Sequence, residues 1–119
     1  MHELAITQSM LNLALEYAKR AGAQRITHIN LVIGEMSGVV DESVQFYFDF
    51  VSKDTLAEGA QLVFEWQPAR IRCRACGHEF ALEVGARLPR PYWACPVCQA
   101  LGGEVVAGRE LYMDSIEVE

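Results

Sequence analysis

The chain lacks the residue patterns on which most enzymes depend. Its three histidines, His2, His28 and His78, lie far apart and do not have metalloenzyme spacing. No Gly-x-x-x-x-Gly-Lys-Ser/Thr loop, Gly-x-Gly-x-x-Gly turn or Gly-x-Ser-x-Gly elbow is present. Nucleotide hydrolysis, dinucleotide binding and serine hydrolase chemistry therefore have no support, and we expect a protein that is not an enzyme.

Long apolar runs and a basic leader followed by an apolar stretch are also missing. We therefore expect no membrane insertion and no secretion. The zinc-binding thiolates predicted below imply a reducing compartment, so we expect a cytoplasmic location. The apolar fraction of 51% over 119 residues is enough for one domain, or for a small domain plus a smaller one stapled by metal.

Basic charge is scarce, with 10 Lys and Arg against 16 Asp and Glu. Residues 69–107 nevertheless hold five arginines against three glutamates, so the net charge of −6 is concentrated in the rest of the chain. This balance does not favour nucleic-acid binding, which depends on attraction to phosphates. It fits contact with a protein partner, although charge patterning alone often reports only a solvated surface.

All four cysteines of the chain lie in two Cys-x-x-Cys pairs. The pairs are Cys73-Arg74-Ala75-Cys76 and Cys95-Pro96-Val97-Cys98, with eighteen residues between them. Two such turns facing each other form a tetrahedral tetrathiolate site, for which Zn²⁺ is the best-suited ion. The spacing therefore predicts a structural zinc site of the zinc-ribbon type.

Three other interpretations of the cysteines fit less well. A thioredoxin-like redox site has one such pair beside a βαβ unit, whereas this chain has two pairs. Two disulfides would fit a secreted protein, but the sequence shows no secretory signal. A base-deaminase site requires an upstream His-x-Glu and an open zinc position, which four thiolates do not leave. A zinc ribbon that binds nucleic acid or the transcription machinery is the main alternative function, and it predicts binding that falls steeply with salt.

Hydrophobic periodicity predicts the order helix, strand, helix, strand, zinc module, strand. The first helix carries a stripe that includes Leu4 and ends at Gly22, and Asp41 is the expected cap of the second helix. The last strand is expected to rejoin the sheet of the first two. We predict an α+β fold in which two helices pack on a small mixed three-stranded sheet. The expected domains are residues 1–68 plus 108–119 and an inserted zinc ribbon over 69–107.

The amino terminus offers a second candidate site. A free α-amine, the amide nitrogens of residues 2 and 3 and the His2 imidazole can surround one ion in a plane, an arrangement that suits Ni²⁺ or Cu²⁺. Glu3 can add an oxygen donor. The alternative is that His2 belongs to a loose terminus, as most residues at position 2 do, and the residues alone leave both interpretations open.

Several motifs in order resemble one family over nearly the whole chain. Besides the two cysteine pairs, they are Met1-His2-Glu3, Ile33-Gly34-Glu35, Glu58-Gly59-Ala60-Gln61-Leu62, Gly108-Arg109-Glu110-Leu111 and Ser115-Ile116-Glu117-Val118. Together they resemble the HypA/HybF family of hydrogenase nickel-incorporation proteins. The resemblance implies a metallochaperone that delivers Ni²⁺ to the large subunit of [NiFe]-hydrogenase and works with a HypB-type GTPase.

The resemblance also implies which residues bind each metal. His2 becomes the main nickel ligand, with the amine of Met1 and the backbone or side chain of Glu3. Zinc, with a structural role, is assigned to Cys73, Cys76, Cys95 and Cys98. One departure is Gln99, which stands where a glycine often follows the second cysteine pair. The protein is expected to be a monomer or a homodimer.

Overall fold

Helix α1 (Glu3–Arg20) opens the part of the chain that the computed structural model describes, which is residues 3–82 and 93–119. Its buried residues are Thr7, Met10, Leu11, Ala14 and Ala18. The apolar stripe predicted for this helix is correct except at its start, where Leu4 is 48% exposed and Thr7 is fully buried. Burial of Thr7 is tolerated since its hydroxyl donates a hydrogen bond to the Glu3 carbonyl at 2.6 Å.

Gly22 ends α1 as the sequence predicts. It adopts a φ of +67°, and the amides of Gly22 and Ala23 donate to the carbonyls of Lys19 (3.1 Å) and Ala18 (3.0 Å). This pair of bonds is the Schellman motif, which satisfies carbonyls that would otherwise lack partners at the helix end.

Strands β1 (Ile26–Gly34), β2 (Gln61–Gln67) and β6 (Leu111–Val118) form one three-stranded sheet in the order β2-β1-β6. Arg25 and Glu119 exchange amide–carbonyl bonds, and the Gly34 amide donates to the Glu110 carbonyl, so β1 and β6 are antiparallel. β1 and β2 are parallel neighbours joined through a helix, and their carboxyl ends lie side by side, since the Glu35 amide donates to the Gln67 carbonyl at 2.9 Å. The α+β fold with a mixed sheet is confirmed, and the last strand rejoins the first two.

Helix α2 (Asp41–Val51) lies between β1 and β2 in the sequence. The prediction that Asp41 caps it is wrong by one residue: Val40 holds the extended cap position, and no side chain makes a cap hydrogen bond. Asp41 and Glu42 instead lie in the first turn, where the helix dipole favours acidic groups. Val44 and Phe48 form the buried face of the helix.

A second three-stranded sheet surrounds the cysteine pairs. It contains β3 (Arg70–Arg72), β4 (Glu79–Ala81) and β5 (Glu104–Ala107) in the order β4-β3-β5, with both pairings antiparallel. Ile71 is fully buried and lies opposite Phe80 and Val105. The alternation of Phe80, Leu82 and Val84 in the sequence predicts a strand between the cysteine pairs, and β4 lies at its start, whereas no such pattern predicts β5. Val84, the turn that Gly85 predicts and the expected return through residues 88–92 lie outside the described residues.

The chain divides into two compact units. The first comprises Met1–Val32, Gly38–Glu65 and Leu111–Glu119, and the second comprises Ile33–Ser37 and Trp66–Glu110. Both helices belong to the first unit, and the four cysteines belong to the second. None of the described helices is long and apolar enough to span a membrane.

Two glycines in the second unit allow backbone segments to approach very closely, an arrangement that we call the glycine crossing (Gly34, Glu35, Ala69, Gly108 and Glu110). A Cβ at Gly34 would lie 2.0 Å from the Gly108 carbonyl oxygen, and one at Gly108 would lie 2.7 Å from Ala69 Cα. The carboxylates of Glu35 and Glu110 accept hydrogen bonds from the amides of Ala69 (3.4 Å) and Gly108 (2.8 Å). These contacts satisfy backbone donors where the segments meet.

Candidate metal centre

The two cysteine pairs occupy turns with the same hydrogen-bond pattern. In each turn the amide of the first cysteine donates to the carbonyl five residues later, and the amide four residues later donates back to the carbonyl of that cysteine. These bonds are 2.8–2.9 Å long and join Cys73 with Gly77 and His78, and Cys95 with Gln99 and Ala100. The repeated pattern explains why two short, similar sequences present their sulfurs in the same way.

Each turn requires a left-handed residue four positions after its first cysteine. Gly77 fills this place in the first turn with a φ of +78°, and Gln99 fills it in the second with a φ of +65°. Glycine adopts this conformation at no steric cost, whereas a residue with a Cβ is strained there. Gln99, the departure noted in the sequence resemblance, therefore lies at a conformationally demanding position rather than at one of the four cysteines.

The four sulfurs lie close together without being bonded to one another. Cys73 Sγ and Cys98 Sγ are 3.5 Å apart, Cys76 Sγ and Cys95 Sγ are 3.6 Å apart, and all four lie within 4.8 Å of one another. A disulfide would need about 2 Å. A tetrahedron with metal–sulfur bonds of about 2.3 Å has edges of about 3.8 Å, so the donor set fits a zinc ion.

The first cysteine of each pair favours the thiolate form. Cys73 and Cys95 are each 1% exposed. The amide of Cys76, with help from that of Ala75, lowers the pKa of Cys73 to about 6. The amides of Cys98 and Val97 lower the pKa of Cys95 in the same way. Backbone N–H groups aimed at a sulfur stabilise its negative charge, which prepares these two sulfurs to bind a cation.

The second cysteine of each pair favours the protonated form. The amides of His78 and Ala100 act to lower the pKa of Cys76 and Cys98 respectively, but partial desolvation and neighbouring cysteines outweigh them. The pKa of Cys76 rises to about 12, and that of Cys98 rises as well. Without a metal the cluster therefore does not carry four thiolates at neutral pH, since Cys76 keeps its proton and four adjacent negative charges would repel one another.

His78 does not join the sulfur cluster. Its ring stacks on Phe80 with centroids 6.4 Å apart and planes inclined by 17°. Among the residues that the structure describes, the four cysteines are the one group of three or more His, Cys, Asp or Glu side chains close enough to share an ion. His28 is likewise a hydrogen-bonded strand residue, with Nδ1 3.0 Å from Thr27 Oγ1 and 3.9 Å from Glu117 Oε2.

The predicted nickel ligands lie at the edge of the described chain. Met1 and His2 fall outside the described residues, and Glu3 is the first residue of α1. The Glu3 carbonyl accepts the bond from the buried Thr7 hydroxyl, which fixes the start of the helix next to the predicted site.

The roles of the Glu35 and Glu110 carboxylates were not predicted from the sequence. Both follow a glycine closely, in Gly34-Glu35 and Gly108-Arg109-Glu110, and that repeated order was the available signal. Their role depends on contacts between segments distant in sequence, which periodicity alone does not reveal.

Comparison with known proteins agrees with the predicted resemblance. A family model described as "Hydrogenase/urease nickel incorporation, metallochaperone, hypA" matches residues 1–118. The chain belongs to the HypA family. A hydrogenase maturation factor HypA from Dehalococcoides mccartyi is 47% identical over 119 residues, covering 100% of this chain and 95% of that protein. Another from Caldanaerobacter subterraneus is 40% identical over 123 residues and covers both chains fully.

Solved structures of HypA proteins share the fold of this HypA-family chain. The solution structure of the Ni metallochaperone HypA from Helicobacter pylori aligns with a TM-score of 0.64 at 24% identity, covering 99% of this chain and 97% of that one. A second solution structure of a HypA protein gives a TM-score of 0.71 at 24% identity over 100% and 97%. Family membership places this chain among the metallochaperones for nickel incorporation in hydrogenase maturation.

Proposed function

We propose that the protein binds Ni²⁺ at its amino terminus and delivers it to the large subunit of [NiFe]-hydrogenase, without being an enzyme. The observation that best supports a terminal site is the closed set of four sulfurs, all within 4.8 Å of one another. A tetrathiolate cage holds an ion with no open position and releases it slowly. A carrier must release its cargo, so nickel needs a different and more accessible site.

The proposed nickel site consists of the Met1 amine, the His2 imidazole and amide, and the backbone or side chain of Glu3. Nitrogen donors in a plane suit Ni²⁺, and a site with few side chains at the end of the chain permits exchange. The amine and the participating amides must lose protons when they bind the ion. Nickel affinity should therefore fall as the pH falls.

We propose that zinc bound by Cys73, Cys76, Cys95 and Cys98 has a structural role and that residues 69–107 act as a zinc-ribbon domain beside a nickel-binding domain of 1–68 plus 108–119. The apolar interior near the cysteines is small, with Ile71, Trp93 and Ala69 among its buried residues. A core of that size needs metal binding to contribute folding free energy. Thiols that must stay reduced to bind a metal persist in the reducing cytoplasm, so we propose a cytoplasmic location.

The proposed partners are a HypB-type GTPase and the hydrogenase large subunit, with the protein acting as a monomer or a homodimer. The alternative of a zinc ribbon that binds nucleic acid has less support. The outward-facing Arg72 lies opposite both Glu79 and Glu104 in the sheet and is 3.9 Å from the Glu79 carboxylate. Its charge is partly compensated within the protein, which weakens attraction to phosphates.

The proposed nickel site is tested by titration calorimetry of Ni²⁺ into the zinc-loaded, untagged protein. His2→Ala should abolish stoichiometric nickel binding while the zinc content and the circular dichroism stay unchanged. His28→Ala is the matched control, because it removes a histidine that is hydrogen-bonded on β1, and it should bind nickel like the parent. Equal affinity in the His2→Ala variant would refute the proposal.

The contribution of the amine is tested separately by adding residues before Met1. Such an extension replaces the free amine with an amide, which is a much poorer ligand, so nickel binding should weaken even though His2 is present. An unchanged affinity would show that the amine does not bind the ion.

A further inference from the structure

Helix α2 has two apolar faces, only one of which is buried. Val44 and Phe48 are 2% and 0% exposed, whereas Phe46 and Phe50 are 70% and 68% exposed. At 3.6 residues per turn, Phe46 and Phe50 lie one turn apart on the side of the helix opposite the buried pair. We call this pair the aromatic face.

The aromatic face is the most exposed large apolar surface among the described residues of the first unit. The next values there are 51% for Tyr112 and 50% for Val40. Single exposed apolar side chains are common, but two neighbouring phenylalanines expose a continuous apolar strip. Such strips often mark the place where a protein meets a partner.

Charge limits what kind of partner can bind this face. Glu42 and Asp49 are exposed and lie beside Phe46 on the helix surface. The Lys53 ammonium lies 5.7 Å from the centre of the Phe50 ring, an example of a cation resting on this face. The first unit as a whole has four Lys and Arg against eleven Asp and Glu.

We propose that the aromatic face binds a helix of a partner protein that carries an apolar stripe flanked by lysine and arginine. The stripe would cover Phe46 and Phe50, while its basic side chains would approach Glu42, Asp49 and the ring faces that stay exposed. An anionic membrane would be repelled by this acidic unit. A second copy of the chain would bring two net charges of −6 together. This inference is independent of the nickel and zinc assignments.

The test uses the full zinc-loaded chain and a synthetic amphipathic helix of leucine and lysine, about five turns long. A leucine–glutamate peptide with the same apolar stripe is the control for charge. Peptide binding is measured by fluorescence anisotropy and mapped by amide chemical shifts in NMR spectra. We expect the lysine peptide to bind at least about tenfold more tightly than the glutamate peptide and to shift amides of α2.

Variants then test whether Phe46 and Phe50 carry the binding. Replacing both residues, Phe46→Ser with Phe50→Ser, should weaken the lysine peptide about tenfold or more, because a few buried aromatics dominate such interfaces. The milder pair Phe46→Leu with Phe50→Leu should retain part of the affinity. Tyr112→Ser, at a residue 51% exposed on β6, is the matched control and should leave binding unchanged.

Three results would overturn the proposal. One is equal binding of the lysine peptide to the parent and to the double serine variant. Another is shifts confined to residues outside α2. The third is a dimer in analytical ultracentrifugation that dissociates in the double serine variant, which would show that the aromatic face pairs with a second copy of this chain.

Discussion

At the scale of single residues, Gln99 occupies a conformation that its side chain makes unfavourable. Its φ of +65° matches the +78° of Gly77 at the equivalent place in the other turn. The left-handed conformation costs a residue with a Cβ about 1–2 kcal/mol of strain. Glycine avoids this strain, but it loses more conformational entropy on folding, so the net advantage of glycine is smaller. The second turn is therefore less favourable than the first, although the two have the same hydrogen bonds.

We predict that Gln99→Gly stabilises the protein by about 0.5–1 kcal/mol. The reverse change in the first turn, Gly77→Ala, should destabilise it by a similar amount, since a Cβ there meets no atom within 4 Å and only the backbone is strained. Chemical denaturation of the zinc-loaded variants measures both. A loss of stability in Gln99→Gly would mean that the glutamine side chain makes a compensating contact.

The glycine crossing predicts a larger effect at Gly34. A Cβ at this position would overlap the Gly108 carbonyl, with 2.0 Å to its oxygen and 2.1 Å to its carbon, and backbone atoms cannot move aside easily. We expect Gly34→Ala to cost at least about 2 kcal/mol of unfolding free energy.

Gly38→Ala is the matched control for that experiment. Gly38 has a φ of +78° but nothing within 4 Å of a built Cβ, so its cost should be limited to about 1 kcal/mol of backbone strain. Thermal denaturation of the two variants under the same conditions compares them. Equal losses would show that the close approach at Gly34 relaxes readily.

At the scale of elements, the sequence predicted where helices and strands lie better than how they face the core. Helix α1 has the predicted position, but its stripe is shifted at the start because a hydrogen bond to Glu3 makes Thr7 acceptable inside. Trp66 lies in the same phase of β2 as the buried Leu62, where alternation predicts burial, yet it is 42% exposed. Periodicity identifies a face of an element, but the extent of burial depends on what packs against it.

Strand β5 shows what local patterns cannot supply. It has four residues, Glu104–Ala107, between Gly103 and Gly108, which is too short for a clear alternation. Its pairing with β3 brings Val105 against Ile71, so the strand is stabilised by a partner more than thirty residues away. The cysteine turns were easier to predict, because each is defined by hydrogen bonds within six residues.

The cysteine turns predict how zinc binding depends on protons. At pH 7 Cys73, with a pKa of about 6, is already largely a thiolate, and the pKa of Cys95 is also lowered. Cys76 and Cys98 have raised pKa values and must lose their protons when the ion binds. Zinc binding to the metal-free protein at pH 7 should therefore release fewer than four protons, because the Cys73 proton is already largely lost.

Calorimetry in buffers with different ionisation enthalpies counts those protons. Below the pKa of Cys73 a further proton must be displaced, so the count should rise and the zinc affinity should fall more steeply as the pH decreases through about 6. Release of four protons at pH 7 would show that the backbone amides do not favour the thiolate of Cys73 and Cys95.

At the scale of the whole molecule, the sequence supported the zinc site more strongly than the nickel site. The four cysteines were predicted from spacing alone, and the structure brings their sulfurs together. The terminal site was not decided by the residues, because a single histidine near a chain end fits a loose terminus equally well. Only the order of motifs along the chain pointed to nickel, and the family match supports the same function.

X-ray absorption at the nickel edge, on protein that already contains one zinc ion per chain, tests the separation of the two metals most directly. We predict nickel surrounded by nitrogen and oxygen donors, with an imidazole contribution that disappears in His2→Ala and no sulfur bound to the ion. Nickel bound by sulfur, with a spectrum unaffected by His2→Ala, would contradict it.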